Sequence, residues 1–150
     1  MLVSQKCQYA IRAIFELAKR LDEGPAPIAE IAEAQAIPKR FLEVILNELR
    51  QAGFVESQRG SRGGYVLAHL PRRLTVGEIV RFVEGPIGPV ECVSGGAEKS
   101  GCPLHRDCVF LPMWERVQQA ISEVYDSTTF ADLLEDEERR RVRYVPSYTI

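Results

Sequence analysis

Apolar positions recur at helical intervals through the first fifty residues. Ala10, Ile14, Leu17 and Leu21 form one stripe with Ile11 and Ala18 beside it, while Arg12, Glu16, Lys19 and Arg20 lie off it. That pattern predicts an amphipathic first helix, ended by Gly24-Pro25. Ile28 to Ala36 reads as a short second helix with Ile28, Ile31 and Ala32 inward. Ile37-Pro38 breaks it, and Pro38 suits the first turn of a third helix. The third helix is expected to bury Phe41, Leu42, Ile45, Leu46 and Leu49, to show Arg40, Glu43, Val44 and Asn47 on its other face, and to end at Gly53.

The period then changes. Phe54 to Arg59 and Tyr65 to Ala68 are β-favouring runs around the turn Gly60-Ser61-Arg62-Gly63-Gly64, the pattern of a hairpin. Three helices and a hairpin make a winged helix-turn-helix, so the expected fold class is mainly α with a small β-hairpin wing. Beyond it, Thr75-Val76-Gly77-Glu78 is a capping box opening a helix with Val76, Ile79, Val80 and Val83 inward, closed by Gly85-Pro86. Residues 86–108 are irregular. Pro112 opens a long helix with Met113, Val117, Ala120 and Val124 in one stripe and Trp114, Ile121 and Tyr125 beside it. So broad an apolar face predicts a partner helix. Thr129 to Leu134 reads as one more short helix, and the charge block from Glu135 as the start of a mobile tail. The expected organisation is a DNA-binding domain at 1–73, a linker helix, cysteine loop and dimerisation helix at 74–134, and the tail at 135–150.

Composition adds two constraints. With 45% hydrophobic and 27% charged residues, the 150-residue chain is of the soluble globular kind and large enough to fold without disulfides. No apolar run approaches the ~18 residues of a membrane helix, and the amphipathic start lacks a signal-peptide core. A cytoplasmic location is expected, in which the four cysteines serve as ligands or thiols. The net charge of −2 hides an asymmetry: residues 38–73 hold seven basic and three acidic side chains, leaving −6 for the remainder. A phosphate backbone meets that local +4 field.

In a helix-turn-helix the second helix of the motif enters the major groove. Here its start offers Pro38, Lys39, Arg40, Phe41, Glu43 and Val44. Arginine pairs with guanine, glutamate accepts from cytosine, and apolar groups meet the thymine methyl. Arg59, Ser61 and Arg62 lie on the wing, where an arginine can enter a narrow minor groove. A winged helix also serves as a protein-interaction module. No base–nucleophile pair stands at a motif spacing, so an enzyme is not expected.

The remaining chemistry is Cys92, Cys102 and Cys108, spaced C-x9-C-x5-C. Thiolates suit an iron–sulfur cluster or zinc. Adding His105, midway between the second and third cysteines, gives a Cys3His set of the zinc type. Metal-free thiol sensing, helped by Arg106, and plain packing in a loop are the other readings. Cys7, at the start of the first helix, fits a small buried hydrophobe.

These residues together resemble the iron–sulfur-cluster and nitric-oxide-sensing winged-helix repressors typified by IscR and NsrR. The resemblance is carried by Cys-Gln-Tyr-Ala-Ile-Arg-Ala at 7–13, Phe-Leu-Glu at 41–43, Leu-Arg-Gln-Ala-Gly-Phe-Val at 49–55, Arg-Gly-Ser-Arg-Gly-Gly-Tyr at 59–65 and Val-Gly-Glu-Ile at 76–79, followed by the cysteines. It covers roughly residues 3–134 and implies a homodimer on a pseudo-palindromic double-stranded DNA operator. It also implies Arg59 in the minor groove and a [2Fe–2S] or [4Fe–4S] cluster on Cys92, Cys102 and Cys108, acting as a redox-sensitive control of repression. The family's histidine position after the third cysteine is Leu111 here, and its acidic position on the first helix is Gln8.

Overall fold

The computed structural model describes residues 2–95 and 101–143. Helix α1 spans Gln5–Lys19, opened by Ser4, whose Oγ accepts from the Cys7 N–H at 3.1 Å. Cys7, Ala10, Ala13, Ile14, Leu17 and Ala18 are buried along it. The helix ends before Gly24, so Leu21 lies beyond it and is exposed. Glu16, expected off the buried stripe, is only 4% exposed.

Helix α2 is Ile28–Ala34 and α3 is Lys39–Gln51, with Pro38 capping α3 from outside. Between them Ala36 holds φ +51°. Leu42, Ile45, Leu46 and Leu49 bury the inner face of α3. Phe41 does not join them: it is 62% exposed, its ring tilted against Tyr9 at 6.3 Å between centroids. It lies on the flank toward α1 rather than beneath the helix.

Strands β1 (Val55–Gln58) and β2 (Gly64–Leu67) pair antiparallel, Val55 opposite Leu67 and Gln58 opposite Gly64. Ala26 adds a bridge to Tyr65, each N–H donating to the other's carbonyl at 2.9 Å. A side chain at Gly64 would collide with the Ala26 carbonyl, so only glycine lets the backbones meet there.

After a single 3-10 turn at Pro71–Arg73 comes α4 (Val76–Glu84). Its capping box is formed: the Thr75 N–H donates to Glu78 Oε2 at 2.8 Å and the Glu78 N–H to Thr75 Oγ1 at 3.3 Å. The short α5 is Glu91–Ser94, a 3-10 turn follows at His105–Asp107, and α6 is Leu111–Ser127. The last helix, α7, runs Phe130–Arg143. It is neither a short helix ending at Leu134 nor followed at Glu135 by a mobile tail. A second capping box opens it, Thr129 N–H to Asp132 Oδ2 at 2.8 Å and Asp132 N–H to Thr129 Oγ1 at 3.1 Å. Lys19 on α1 pairs with Glu137 at 3.0 Å, inside the segment expected to be mobile. Residues 144–150 of that tail lie outside the described residues.

The starts of α4 and α7 are stitched together, Val76 N–H to Thr128 O at 2.9 Å and Phe130 N–H to Leu74 O at 3.0 Å. Helix α1 is the central element, packed by α3, α4 and α7, with Phe130 fully buried. Each such aliphatic or aromatic side chain contributes about 1.5–3 kcal/mol on burial. Helix α6 differs, for it has no buried residue; Met113 and Val124 are exposed. It is tied to α4 by a bidentate pair, Arg81 Nη2 to Asp126 Oδ2 at 2.8 Å and Nη1 to Oδ1 beside it.

Candidate nucleic-acid interface and cysteine segment

The inward residues of α3 fix which side of it faces solvent. Pro38, Lys39, Arg40, Phe41, Glu43 and Val44 are all exposed, with Val44 at 57%. Pro38 supplies no side-chain cap, while its carbonyl accepts from the Phe41 N–H at 3.0 Å and the Leu42 N–H at 3.1 Å. On the wing Arg59, Ser61 and Arg62 are exposed as well, and Gly60 takes φ +117° to make the turn. Among the described residues, Lys39, Arg40, Arg59 and Arg62 make no ion pair, whereas Lys6, Lys19, Arg20, Arg81 and Arg139 each do. Unpaired cations on a projecting helix and hairpin are what phosphate binding uses.

The cysteine segment is held at both ends by α6. Gln118 Nε2 donates to Ile87 O and to Val93 O, each at 2.9 Å, and so grips the chain on either side of Val90. Cys92 sits in α5, half-buried; Cys102 is exposed; His105 is half-buried in the 3-10 turn. Cys108 is half-buried, and its carbonyl accepts from the Leu111 N–H that starts α6. None of the four cysteines is in a disulfide. Among the described residues no three His, Cys, Asp or Glu side chains are gathered closely enough to hold a metal ion. In this arrangement neither Cys92, Cys102 and Cys108 nor that trio with His105 is drawn together. The chemistry of the donors fits iron–sulfur or zinc, and in the present arrangement they stand apart. Cys92 is held through its α5 neighbours by Gln118, while Cys102, His105 and Cys108 belong to the separate approach to α6.

The other candidates have structural places. Burial, then the neighbouring Glu84 carboxylate, pushes the Cys7 thiol up to about 11, which disfavours the thiolate a metal needs. His69 Nε2 lies 3.0 Å from Gly53 O, at the end of α3. Trp114 is half-buried in the first turn of α6. Sequence reasoning missed Gln118 and the Arg81–Asp126 pair. Gln118 stands between Val117 and Ala120, and its acceptors are carbonyls 31 and 25 positions away, so no spacing pattern marks it.

The family model for the Rrf2 iron-dependent transcriptional regulators matches residues 3–136. The chain belongs to the Rrf2 family. Like its relatives, this Rrf2 protein is a transcriptional regulator and not an enzyme. It is 40% identical over 133 residues to the regulator CymR of Bacillus subtilis, covering 89% of each chain. To IscR of Aliivibrio salmonicida it is 32% identical over 142 residues, covering 95% of this chain and 82% of that one. Among solved structures, T. potens IscR superposes with a TM-score of 0.73 at 38% identity, covering 93% of this chain and 90% of that one. The structure of B. subtilis CymR, described as the global cysteine regulator, gives 0.72 at 39%, covering 89% and 95%. These neighbours share the winged-helix fold. No described helix of this Rrf2 chain is long and apolar enough to cross a membrane.

Proposed function

We propose that this chain is a homodimeric repressor whose affinity for a double-stranded DNA operator follows the state of its cysteine segment, with an iron–sulfur cluster as the group that Cys92, Cys102 and Cys108 take. Residues 1–73 read DNA in this proposal, and residues 74–134 carry the response and the dimer contact. The observation that carries it is the double attachment of the cysteine segment to α6, at Gln118 and at Cys108.

Gathering the three thiolates requires that segment to move against α6, because they are apart in the present arrangement. Gln118 then shifts its hold on Ile87 and Val93, and α6 carries the change to α4 through Asp126 and Arg81. Helix α4 packs on α1, and α1 on α3, so the end of the path is the recognition helix. A bound cluster would supply a state change at the thiolates; the chain's own residues transmit it. The two states must differ in DNA affinity for any such control to operate.

Anaerobic reconstitution followed by iron, sulfide and zinc analysis, an absorbance spectrum and operator titration at matched salt tests this. The expected result is a coloured protein whose cluster-loaded and cluster-free forms bind DNA differently; equal affinities would overturn the control. A metal-free thiol response is the second reading, favoured by the dispersed placement of the thiols and the likeness to CymR. A colourless protein whose DNA affinity changes with thiol oxidation selects it, and stoichiometric zinc selects a structural metal instead.

A further inference from the structure

Glu16 is the only charged side chain buried among the described residues. Its Oε1 accepts from Arg20 Nε at 2.7 Å and its Oε2 from Gln35 Nε2 at 2.8 Å. Arg20 also reaches Glu30 of α2 at 2.5 Å. Gln35 is the residue that ends α2. Directly after it stands Ala36, the one described non-glycine residue with positive φ, then Ile37, 3% exposed, and Pro38, which precedes α3 as its N-cap.

A buried carboxylate is an unusual way to gain stability, since apolar packing of the same volume does as well or better. What hydrogen bonds add is direction. The underside of α3 is held by Leu42, Ile45, Leu46 and Leu49, whose contacts are non-directional and allow small rotations and slides. The Glu16–Gln35 bond instead sets the position of the last residue before the turn. We propose that Glu16 is a positioning residue for DNA reading: through Gln35 it fixes the angle at which the turn launches α3, and so where Lys39 to Val44 meet the base edges. This rests on the DNA-binding reading above.

The consequence is selective. Base-edge hydrogen bonds weaken steeply with misalignment, whereas phosphate contacts carry no sequence information and tolerate it. The experiment uses the full chain to select a duplex from a random library. Binding of that duplex and of an unselected duplex is then compared for the wild type, Glu16→Gln and Gln35→Ala. Gln35 is only half-buried, so its variant tests the tie without leaving a core cavity. Both variants are expected to lose about tenfold on the selected duplex, the order of one charge-assisted hydrogen bond, with little change on the unselected one. A merely structural role would lower both duplexes together through the folded fraction, and that result, or no loss in Gln35→Ala, overturns the inference. A wild-type chain that enriches no duplex overturns the DNA-binding reading itself, and this inference with it.

Discussion

Ala36 holds a left-handed backbone, φ +51°, in the turn between α2 and α3. Glycine adopts that region without steric cost, while alanine does not. Ala36→Gly is therefore expected to raise the melting temperature, by the equivalent of about 0.5–1 kcal/mol after the added chain entropy of glycine is subtracted; an unchanged or lower melting point would contradict it. At Glu16, burial alone would raise the carboxyl, but hydrogen bonds from Gln35 and Arg20, with the charges of Arg20 and Lys19, outweigh it and hold it below its ordinary 4.5. A depressed carboxyl stabilises the fold above its unfolded value and loses that contribution as pH falls through the folded one. Stability should thus fall on acidification below 4.5, and less steeply in Glu16→Gln, as followed by denaturant titration across pH. On the reading face, Arg40→Ala should cost ~1–3 kcal/mol and relax specificity at one base position, while Arg59→Ala should weaken operator binding. Titration against a panel of single-base operator variants separates the two. Residue identity alone misplaces both Glu16 and Phe41, because a charge is sorted outward and a ring inward. Partners decide otherwise: two donors bring Glu16 in, and a flank position against Tyr9 leaves Phe41 out.

Among the elements, the three helices and the wing are legible because each carries a period that solvent and core enforce. The α4 capping box is legible because its four residues satisfy each other locally. Helix α7 had the same kind of signal, Thr129 followed three residues later by Asp132, yet the charge block beyond it reads as a tail. What keeps that block helical is partly local, as in the Arg139 pairs with Glu135 and Asp136, and partly distant, as in Lys19–Glu137. Thr129→Ala removes the cap and is expected to destabilise the chain by about 1 kcal/mol, measured by chemical denaturation. The cysteine segment is the least legible part. Its glycines and prolines impose no period, and its anchor is a glutamine bonded to backbone carbonyls, which any sequence supplies equally well.

At the scale of the molecule, α6 rests on the core that α1 organises through Ile121 and Tyr125 and presents an apolar surface built from Met113, Val117, Ala120 and Val124. If that surface joins two copies, Val124→Glu should dissociate the dimer in sedimentation velocity while leaving the helical signal and the melting of the α1-centred core nearly intact; a variant that stays dimeric would move the interface elsewhere. Loss of the second copy would also remove one half-site and lower operator affinity more than any single contact. The wing bears on the same binding event in another way. A two-stranded hairpin with strands this short is marginal alone, but the Ala26–Tyr65 bridge lends it a third line of backbone bonds, anchored between α1 and α2. Arg59 and Arg62 thus stand on a turn whose two flanking strands are already held. Fixing a residue's backbone costs about 1–2 kcal/mol of entropy, and on this wing that cost is met during folding. If the wing enters a minor groove as proposed, that encounter has chiefly side chains left to immobilise.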